Sequence, residues 1–192
     1  FILLNSDTLV TPGWIRNLRT AAYSGDRVGT VTPLSNNAGA FSVPEIGKEN
    51  SVPVWLGLDH YARAITQGSK GLYPETPTGN GFCMYIRKDC LREVGMLDAE
   101  AFPFGYGEEN DFCMRAGQRN WTHLVDDSTL IYHVRAASFG DKKNALLKQG
   151  RGILDSRYPE YSRKVNDFAN SGKMQAVRQR VSAIQNTLGK NI

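Results

Sequence analysis

Short apolar runs alternate with amphipathic segments along the chain, a pattern typical of strands followed by helices. Strands are predicted where apolar residues run together or alternate, and helices where they recur every three or four positions. The predicted strands are Phe1–Leu4, Val28–Pro33, Phe82–Arg87, Trp121–Val125 and Thr129–His133. The predicted helices are Trp14–Tyr23, Trp55–Gln67, Asp89–Val94 and Glu108–Ala116, followed by helical sequence from Lys142 with an interruption at Tyr158-Pro159. This alternation predicts an α/β fold, a sheet flanked by helices.

Length and composition fit such a fold. The chain has 192 residues, of which 41% are hydrophobic and 22% are charged, so wholesale disorder is not expected. No apolar run approaches the roughly 20 residues of a membrane-spanning helix, so an integral membrane protein is not expected either. Phe1–Leu4 has the character of a buried strand already under way. We therefore expect the domain to be truncated at its N-terminus.

Charge and cysteine content narrow the expectations further. Acidic residues outnumber basic ones over residues 1–140, and the excess of basic residues lies in residues 141–192. This predicts an α/β body without nucleic-acid binding, followed by a basic helical tail that suits an anionic surface or partner. Cys83, Cys90 and Cys113 lie in unrelated contexts, so a zinc site or a disulfide framework is not expected. Cys83 and Cys113 lie among apolar residues, and we expect them to be reduced core cysteines in a cytoplasmic protein.

The tripeptide Asn5-Ser6-Asp7 follows the first predicted strand. In open α/β sheets, ligands bind at the carboxyl ends of strands, so an acid there is well placed for a metal-bound ligand. Mg²⁺ usually needs only one or two protein carboxylates when phosphates supply the rest. The alternative is that the tripeptide forms a turn or caps the next helix.

Three carboxylates crowd into Gly107-Glu108-Glu109-Asn110-Asp111 at a predicted helix start. Such crowding raises the pKa of one carboxyl unless a cation offsets it, and a raised pKa suits a general base for a sugar hydroxyl. The alternative is a solvated first turn whose acids the helix dipole favours. The preceding Phe102-Pro103-Phe104-Gly105-Tyr106 favours the base, because exposed aromatic side chains beside glycines make a wall for a sugar ring.

His133 ends the apolar stretch of the last predicted strand and is either a structural residue or a metal ligand. In order and spacing, these pieces resemble the family 2 glycosyltransferases. The matching segments are Leu3-Leu4-Asn5-Ser6-Asp7-Thr8, Gly13-Trp14, Gly79–Arg87, Val94-Gly95-Met96-Leu97-Asp98, Gly107-Glu108-Glu109-Asn110-Asp111-Phe112-Cys113-Met114-Arg115 and His133. The resemblance extends from Phe1 to about Phe139.

This resemblance implies a GT-A-like, Rossmann-like mixed sheet that lacks its nucleotide-binding first half. It also implies inverting transfer of a sugar from a nucleotide-diphosphate donor, UDP- or dTDP-linked, to a saccharide or lipid-linked acceptor, with Mg²⁺ or Mn²⁺ as cofactor. The reaction needs a base and a cation but no covalent nucleophile, and the sequence contains no convincing Ser-His-Asp or Cys-His grouping. The family's setting implies bacterial cell-surface polysaccharide assembly on the cytoplasmic side.

The resemblance implies roles for individual residues. Asn5-Ser6-Asp7 matches the Asp-x-Asp motif, in which Asp7 would bind the cation and Asn5, replacing the first acid, would contact the donor. Glu109 would be the base that deprotonates the acceptor hydroxyl, with Asp111 as the alternative base. His133 would complete the metal site. The substrate-binding residues would be Asn5, Gly79, Asn80, Gly81, Tyr106, Gly107 and Glu108.

Two other interpretations of the same residues stay open. A non-catalytic glycan- or partner-binding module derived from such an enzyme is favoured by Asn5 and by the absent nucleotide half. The carboxylate cluster and His133 favour the enzyme. A metal-dependent phosphohydrolase would use similar ligands but leaves the aromatic and glycine-rich loop unexplained.

The end of the tail carries a narrow apolar stripe at helical spacing. Its residues are Met174, Val177, Val181, Ile184 and Leu188, flanked by Lys173, Arg178 and Arg180. Such a stripe packs against the protein's own body or against a second copy of the chain. The alternative is peripheral docking on the anionic inner face of the bacterial plasma membrane, where lipid-linked acceptors are found.

Overall fold

The structure is a computed structural model that describes residues 1–52, 57–134 and 140–189. These residues form a mixed open sheet of six strands. The strands are β1 (Ile2–Leu4), β2 (Thr8–Leu9), β3 (Val28–Ser35), β4 (Glu75–Thr76), β5 (Cys83–Ile86) and β6 (Thr122–His133). Their order across the sheet is β1-β5-β3-β6-β2, with β4 also paired to β6. The predicted α/β class with a mixed sheet is therefore confirmed.

Helices flank this sheet. They are α1 (Trp14–Ala22), α2 (Leu58–Gly68), α3 (Lys88–Val94), α4 (Glu108–Gly117), α5 (Gly140–Arg157), α6 (Tyr161–Ala169) and α7 (Gly172–Gly189), with a 3-10 turn at Gly39–Phe41. The predicted start of the second helix, Trp55, lies outside the described residues, as does Phe139, where the family resemblance ends. Among the described helices, none combines the length and the apolar character needed to traverse a lipid bilayer.

The two strands predicted at Trp121–Val125 and Thr129–His133 are one strand, β6. It runs parallel to β3, and the register between the two shifts where Pro33 and Leu34 pair with Asp126 and Leu130. The shift accommodates the polar residues between the two predicted strands. In the sequence, the same register shift corresponds to an interruption of the apolar pattern between Val125 and Thr129.

Strand direction brings one set of polar segments to a single edge of the sheet. β5 is antiparallel to both β1 and β3, and β3 is parallel to β6, so β1 and β6 run the same way. Their carboxyl ends therefore share an edge with the beginning of β5. At this edge β2 turns back antiparallel to β6, which pairs Thr8 with His133.

The core occupies both faces of the sheet. All eight residues of β3 are buried, which explains why this strand is not an alternating apolar and polar sequence. One cluster joins α1, α2 and α7 to the sheet, and a second joins α3 and α4 to β5. Cys83, Cys90 and Cys113 are unpaired and buried, and burial raises the pKa of each thiol to about 12. The prediction of core cysteines is confirmed.

The apolar stripe of α7 belongs to the first of these clusters. Met174, Val177 and Val181 are completely buried, and Ile184 and Leu188 pack against the same cluster. The basic flanks are also engaged, because the Arg178 guanidinium donates to the carbonyl of Ala40 at 2.7 Å and Arg180 pairs with the buried Asp127 at 2.6 Å. The stripe is therefore a seam with the protein's own body. The covered stripe is therefore not available to a membrane or to a second copy. Peripheral membrane contact and self-association through other surfaces stay predictions.

Candidate functional site

An open cleft of about 1010 Å³ lies at the edge where β1 and β6 end. Most of the residues predicted to be functional line it. They are Asn5, Asp7, Asn80, Gly81, Tyr106, Gly107, Glu108, Glu109 and His133. Residues distant in the sequence therefore share one surface.

Asp7 and His133 meet in this cleft. The antiparallel ladder of β2 and β6 aligns their backbones, and the Val134 N–H donates to the Asp7 carbonyl at 2.9 Å. The distance from Asp7 Oδ1 to His133 Nε2 is 3.3 Å. The predicted convergence of these two residues is confirmed. Their role as metal ligands stays a prediction.

The hydrogen bond of the other imidazole nitrogen indicates what Nε2 offers. His133 Nδ1 lies 3.0 Å from the Asn37 carbonyl oxygen, which can only accept, so Nδ1 carries a proton. In the neutral ring, Nε2 then directs its lone pair at the Asp7 carboxylate. Two acceptors that face each other at this distance require a cation or a proton between them. The residues present therefore fit a divalent cation.

Further contacts fix the position of His133. The Asn36 side chain accepts from the His133 N–H at 2.7 Å and donates to the His133 carbonyl at 3.2 Å. Phe82 stacks on the imidazole, with ring centroids 5.6 Å apart and an interplanar angle of 19°. Asn36 thus fixes the backbone of His133, and Phe82 fixes the plane of its imidazole.

The described residues contain no group of three or more His, Cys, Asp or Glu side chains able to hold a metal. Asp7 and His133 would supply two ligands to a cation. Oxygen ligands from phosphate and water commonly complete such a site.

Glu109 lies in the first turn of α4 and is partly buried in the wall of the cleft. Burial raises the pKa of Glu109 to about 7, and the neighbouring Glu108 carboxylate adds to the increase. The Gly81 N–H donates to Glu109 Oε1 at 3.3 Å and opposes it. A carboxyl with a pKa near neutrality is suited to accept a proton from a substrate hydroxyl.

The loop before α4 has an unusual backbone. Gly105, Tyr106 and Gly107 all have positive φ, at 80°, 66° and 144°. Helix α5 contacts this loop so closely that a Cβ on Gly150 would lie 1.9 Å from the Tyr106 carbonyl oxygen. The Gly107 N–H donates to Glu108 Oε2 at 3.1 Å. The loop therefore fixes the start of α4, where Glu108 and Glu109 lie.

The glycine-rich segment before β5 divides between cleft and core. Gly81 lines the cleft beside Glu109, whereas Gly79 lies outside it. A Cβ on Gly79 would lie 2.3 Å from Met84 Sδ and 2.9 Å from Thr32 Oγ1. The prediction that Gly79 binds substrate is therefore corrected, because its backbone serves close packing.

Asp111 also lies outside the cleft. Its carboxylate is completely buried, with Oδ2 accepting from Arg115 at 2.8 Å and Oδ1 accepting from Arg157 at 2.7 Å and from Tyr158 at 2.9 Å. Both oxygens are thus engaged in a structural network. The alternative that Asp111 is the base is corrected on this geometry.

One wall of the cleft consists of residues that were not predicted to be functional. Leu147, Arg151 and Leu154 of α5 and Tyr161 of α6 line it. The first three are spaced by four and three residues, which places them on one helical face. That spacing was a usable signal, but the basic composition of residues 141–192 indicated a separate tail.

When the chain is compared with known proteins, no protein family matches its sequence, and no curated protein matches it either. A function for this chain is therefore inferred from the geometry of the cleft.

Proposed function

We propose that this chain is the metal- and acceptor-binding part of a GT-A-type glycosyltransferase that uses a nucleotide-diphosphate sugar. One observation carries the proposal. The facing acceptor atoms of Asp7 and His133 and the Glu109 carboxyl, with its raised pKa, lie in one cleft. Inverting transfer needs both a cation site and a general base.

Asp7 and His133 would hold Mg²⁺ or Mn²⁺ with their facing acceptor atoms. When bound, such a cation offsets the negative charge that develops on a departing diphosphate. Asn5, which lines the same part of the cleft, offers an amide for the donor. Because Asn5 has an amide where the Asp-x-Asp motif has its first acid, Asp7 supplies the carboxylate of Asn5-Ser6-Asp7.

Glu109 would accept the proton of the acceptor hydroxyl. Its partial burial keeps the carboxyl basic enough to take that proton near neutral pH, and Gly81 orients one of its oxygens. Glu108 and the aromatic residues of the adjoining loop would position the acceptor sugar. Phe104 supports this assignment because it lines the cleft and 71% of its surface is exposed.

Calorimetric titration with inorganic pyrophosphate tests the proposal, because this probe contains the diphosphate group alone. We expect binding to strengthen by about tenfold or more when MnCl₂ is present, and the same dependence for UDP or dTDP. Asp7→Asn should abolish the Mn²⁺ effect. The matched control is Asp167→Asn, an exposed acid paired with Arg163 on α6.

Equal pyrophosphate binding with and without Mn²⁺ would contradict the proposal. The non-catalytic glycan-binding module, which Asn5 favours, predicts that result together with retained binding of sugars. An Asp7→Asn variant that keeps the Mn²⁺ effect would also contradict it.

A further inference from the structure

The α5 side of the cleft combines apolar surface with a positive charge. Leu147 and Phe104 have 44% and 71% of their surfaces exposed, and both line the cleft. Phe104 also lies beside Leu146 and Gln149 of α5. Among the cleft-lining residues that the structure describes, Arg151 is the only arginine or lysine. The β1 and α4 sides instead carry Asp7, Glu108 and Glu109.

Neighbouring groups hold the Arg151 guanidinium in place. Its Nε lies 3.0 Å from both carboxylate oxygens of Asp155, and its Nη2 donates to Ser162 Oγ. Its Cζ lies 5.0 Å from the centre of the Tyr161 ring. Within the described part of the chain, Nη1 has no hydrogen-bond partner, and 47% of the side chain is exposed. A guanidinium oriented in advance, with N–H donors still open, is suited to bind phosphate or carboxylate oxygens.

Tyr161 connects this arginine to the candidate base. Its hydroxyl donates to Asn110 Oδ1 at 2.5 Å, next to Glu109 in the chain. Burial raises the pKa of Tyr161 to about 12, and the nearby Glu109 carboxylate adds to the increase. Tyr161 therefore lies between Arg151 and Glu109. Tyr161 is itself buried, with 6% of its surface exposed, so it supports the guanidinium from below. A ligand whose hydroxyl reaches Glu109 can therefore meet the exposed part of Arg151 on the same side of the cleft.

We propose that Arg151, held against the buried Tyr161 ring, forms a subsite for an anionic group of the acceptor, a phosphate or a carboxylate, and that an apolar segment of the same molecule lies on Leu147 and Phe104. The acceptor class is thus an anionic amphiphile. The identification of this molecule as the acceptor substrate rests on the proposed function. The binding itself needs neither a donor nor a cation.

Titrations followed by calorimetry and by amide NMR shifts test this subsite with hexyl phosphate, heptanoate and the neutral hexyl β-glucoside. We expect at least one anion to bind about tenfold or more tightly than the glucoside, because a charge-assisted hydrogen bond replaces a neutral one. The tighter of the two anions identifies the anionic group. Shifts should concentrate at Leu154 and Tyr161. Inorganic phosphate, which lacks the apolar segment, should bind more weakly than hexyl phosphate.

Variants separate the subsite from a general effect of charge. Arg151→Gln should lose the preference for anions and keep glucoside binding, and Arg151→Lys should restore part of the preference. The matched control is Arg163→Gln, since Arg163 pairs with Asp167 four residues on, as Arg151 pairs with Asp155, but lies outside the cleft. Thermal unfolding of each variant checks that the fold is retained.

Three results would overturn the inference. They are equal binding of anions and glucoside, an unchanged preference in folded Arg151→Gln, and an equal loss in Arg163→Gln. Failure of Mn²⁺-dependent pyrophosphate binding would count against the glycosyltransferase alone, because these titrations contain no cation or diphosphate.

Discussion

Asp7 Oδ1 and His133 Nε2 lie 3.3 Å apart although the two residues are far apart in the amino-acid sequence. Two features of the fold bring them together. β1 and β6 run in the same direction, and β2 reverses to pair with the end of β6. Since the Asn37 carbonyl fixes a proton on Nδ1, the meeting atoms form an acceptor pair whenever the ring is neutral. This pair is the basis for a cation in the proposed function.

Replacing Glu109 tests the proposed base. In the full-length protein, Glu109→Gln should lower turnover by roughly 10²–10⁴, with donor binding nearly unchanged, because an amide cannot accept the proton. With a pKa of about 7, the wild-type turnover should rise with pH and level off above neutrality. Initial rates between pH 5 and 9 measure this. If Asp111→Asn abolishes transfer in a folded protein while Glu109→Gln is active, the assignment is wrong.

The same carboxyl links the stability of the fold to pH. Burial favours the protonated form, so the folded state binds a proton more tightly than the unfolded state. The resulting stabilisation is complete below the ordinary carboxyl pKa of 4.5 and is lost as the pH rises through about 7. Glu109→Gln should therefore lose less unfolding free energy than the wild type between pH 5 and pH 8. Urea denaturation at the two pH values checks this, and an identical loss in both proteins would contradict it.

Asn36 should act on the cation site through His133. Asn36→Ala removes both of its hydrogen bonds to the His133 backbone, so Mn²⁺ affinity should fall by about 10–100-fold, as for other outer-shell partners. Electron paramagnetic resonance of free Mn²⁺ measures the affinity. Asn170→Ala, at an exposed position after α6, is the matched control. Unchanged affinity in folded Asn36→Ala would show that Phe82 and Asn37 suffice.

Two glycines of α5 offer a matched pair. Gly150→Ala places a methyl group against the Tyr106 carbonyl, so it should displace the loop, lower the unfolding free energy and weaken ligand binding in the cleft. Gly152→Ala meets no atom within 4 Å and should stabilise α5 by about 0.5–1 kcal/mol through helix propensity. Chemical denaturation measures both. Equal stability of the two variants would contradict the close contact of α5 with the loop.

The α7 seam should contribute to stability. Met174→Ala truncates a completely buried side chain and should lower the unfolding free energy by about 2–5 kcal/mol. Gln179→Ala, on the exposed face of α7, should have little effect. Liposome sedimentation completes the test, because a buried stripe predicts no binding that depends on α7. Wild-type stability of Met174→Ala, together with anionic liposome binding that Met174→Ala abolishes and Gln179→Ala keeps, would restore the membrane alternative.

Much of the fold could be predicted because its signals are local. Apolar periodicity located most strands and helices within a few residues, and the rule for carboxyl strand ends brought Asp7 and His133 together. The same rule could not give the pairing of β2 with β6, since a strand as short as Thr8–Leu9 has no pattern of its own. That pairing sets the distance between the two side chains.

The site residues that could not be predicted depend on tertiary contacts. Asp111 and Glu109 belong to one acidic cluster, but Arg157 and Tyr158 reach back from α5 and its end to engage Asp111 rather than Glu109. Likewise, Arg151 lines the cleft because α5 and α6 pack on the loop before α4. The basic composition of residues 141–192 indicates positive charge, but it contains no information on where α5 packs.

The position of a bound cation shows directly whether Asp7 and His133 form a metal site. Crystals soaked with MnCl₂ and UDP, measured at the manganese absorption edge, locate the ion by its anomalous signal. We expect a peak between Asp7 and His133, roughly 2.0–2.6 Å from Oδ1 and from Nε2. A manganese peak elsewhere, or a UDP diphosphate bound with no manganese at these two side chains, would contradict it.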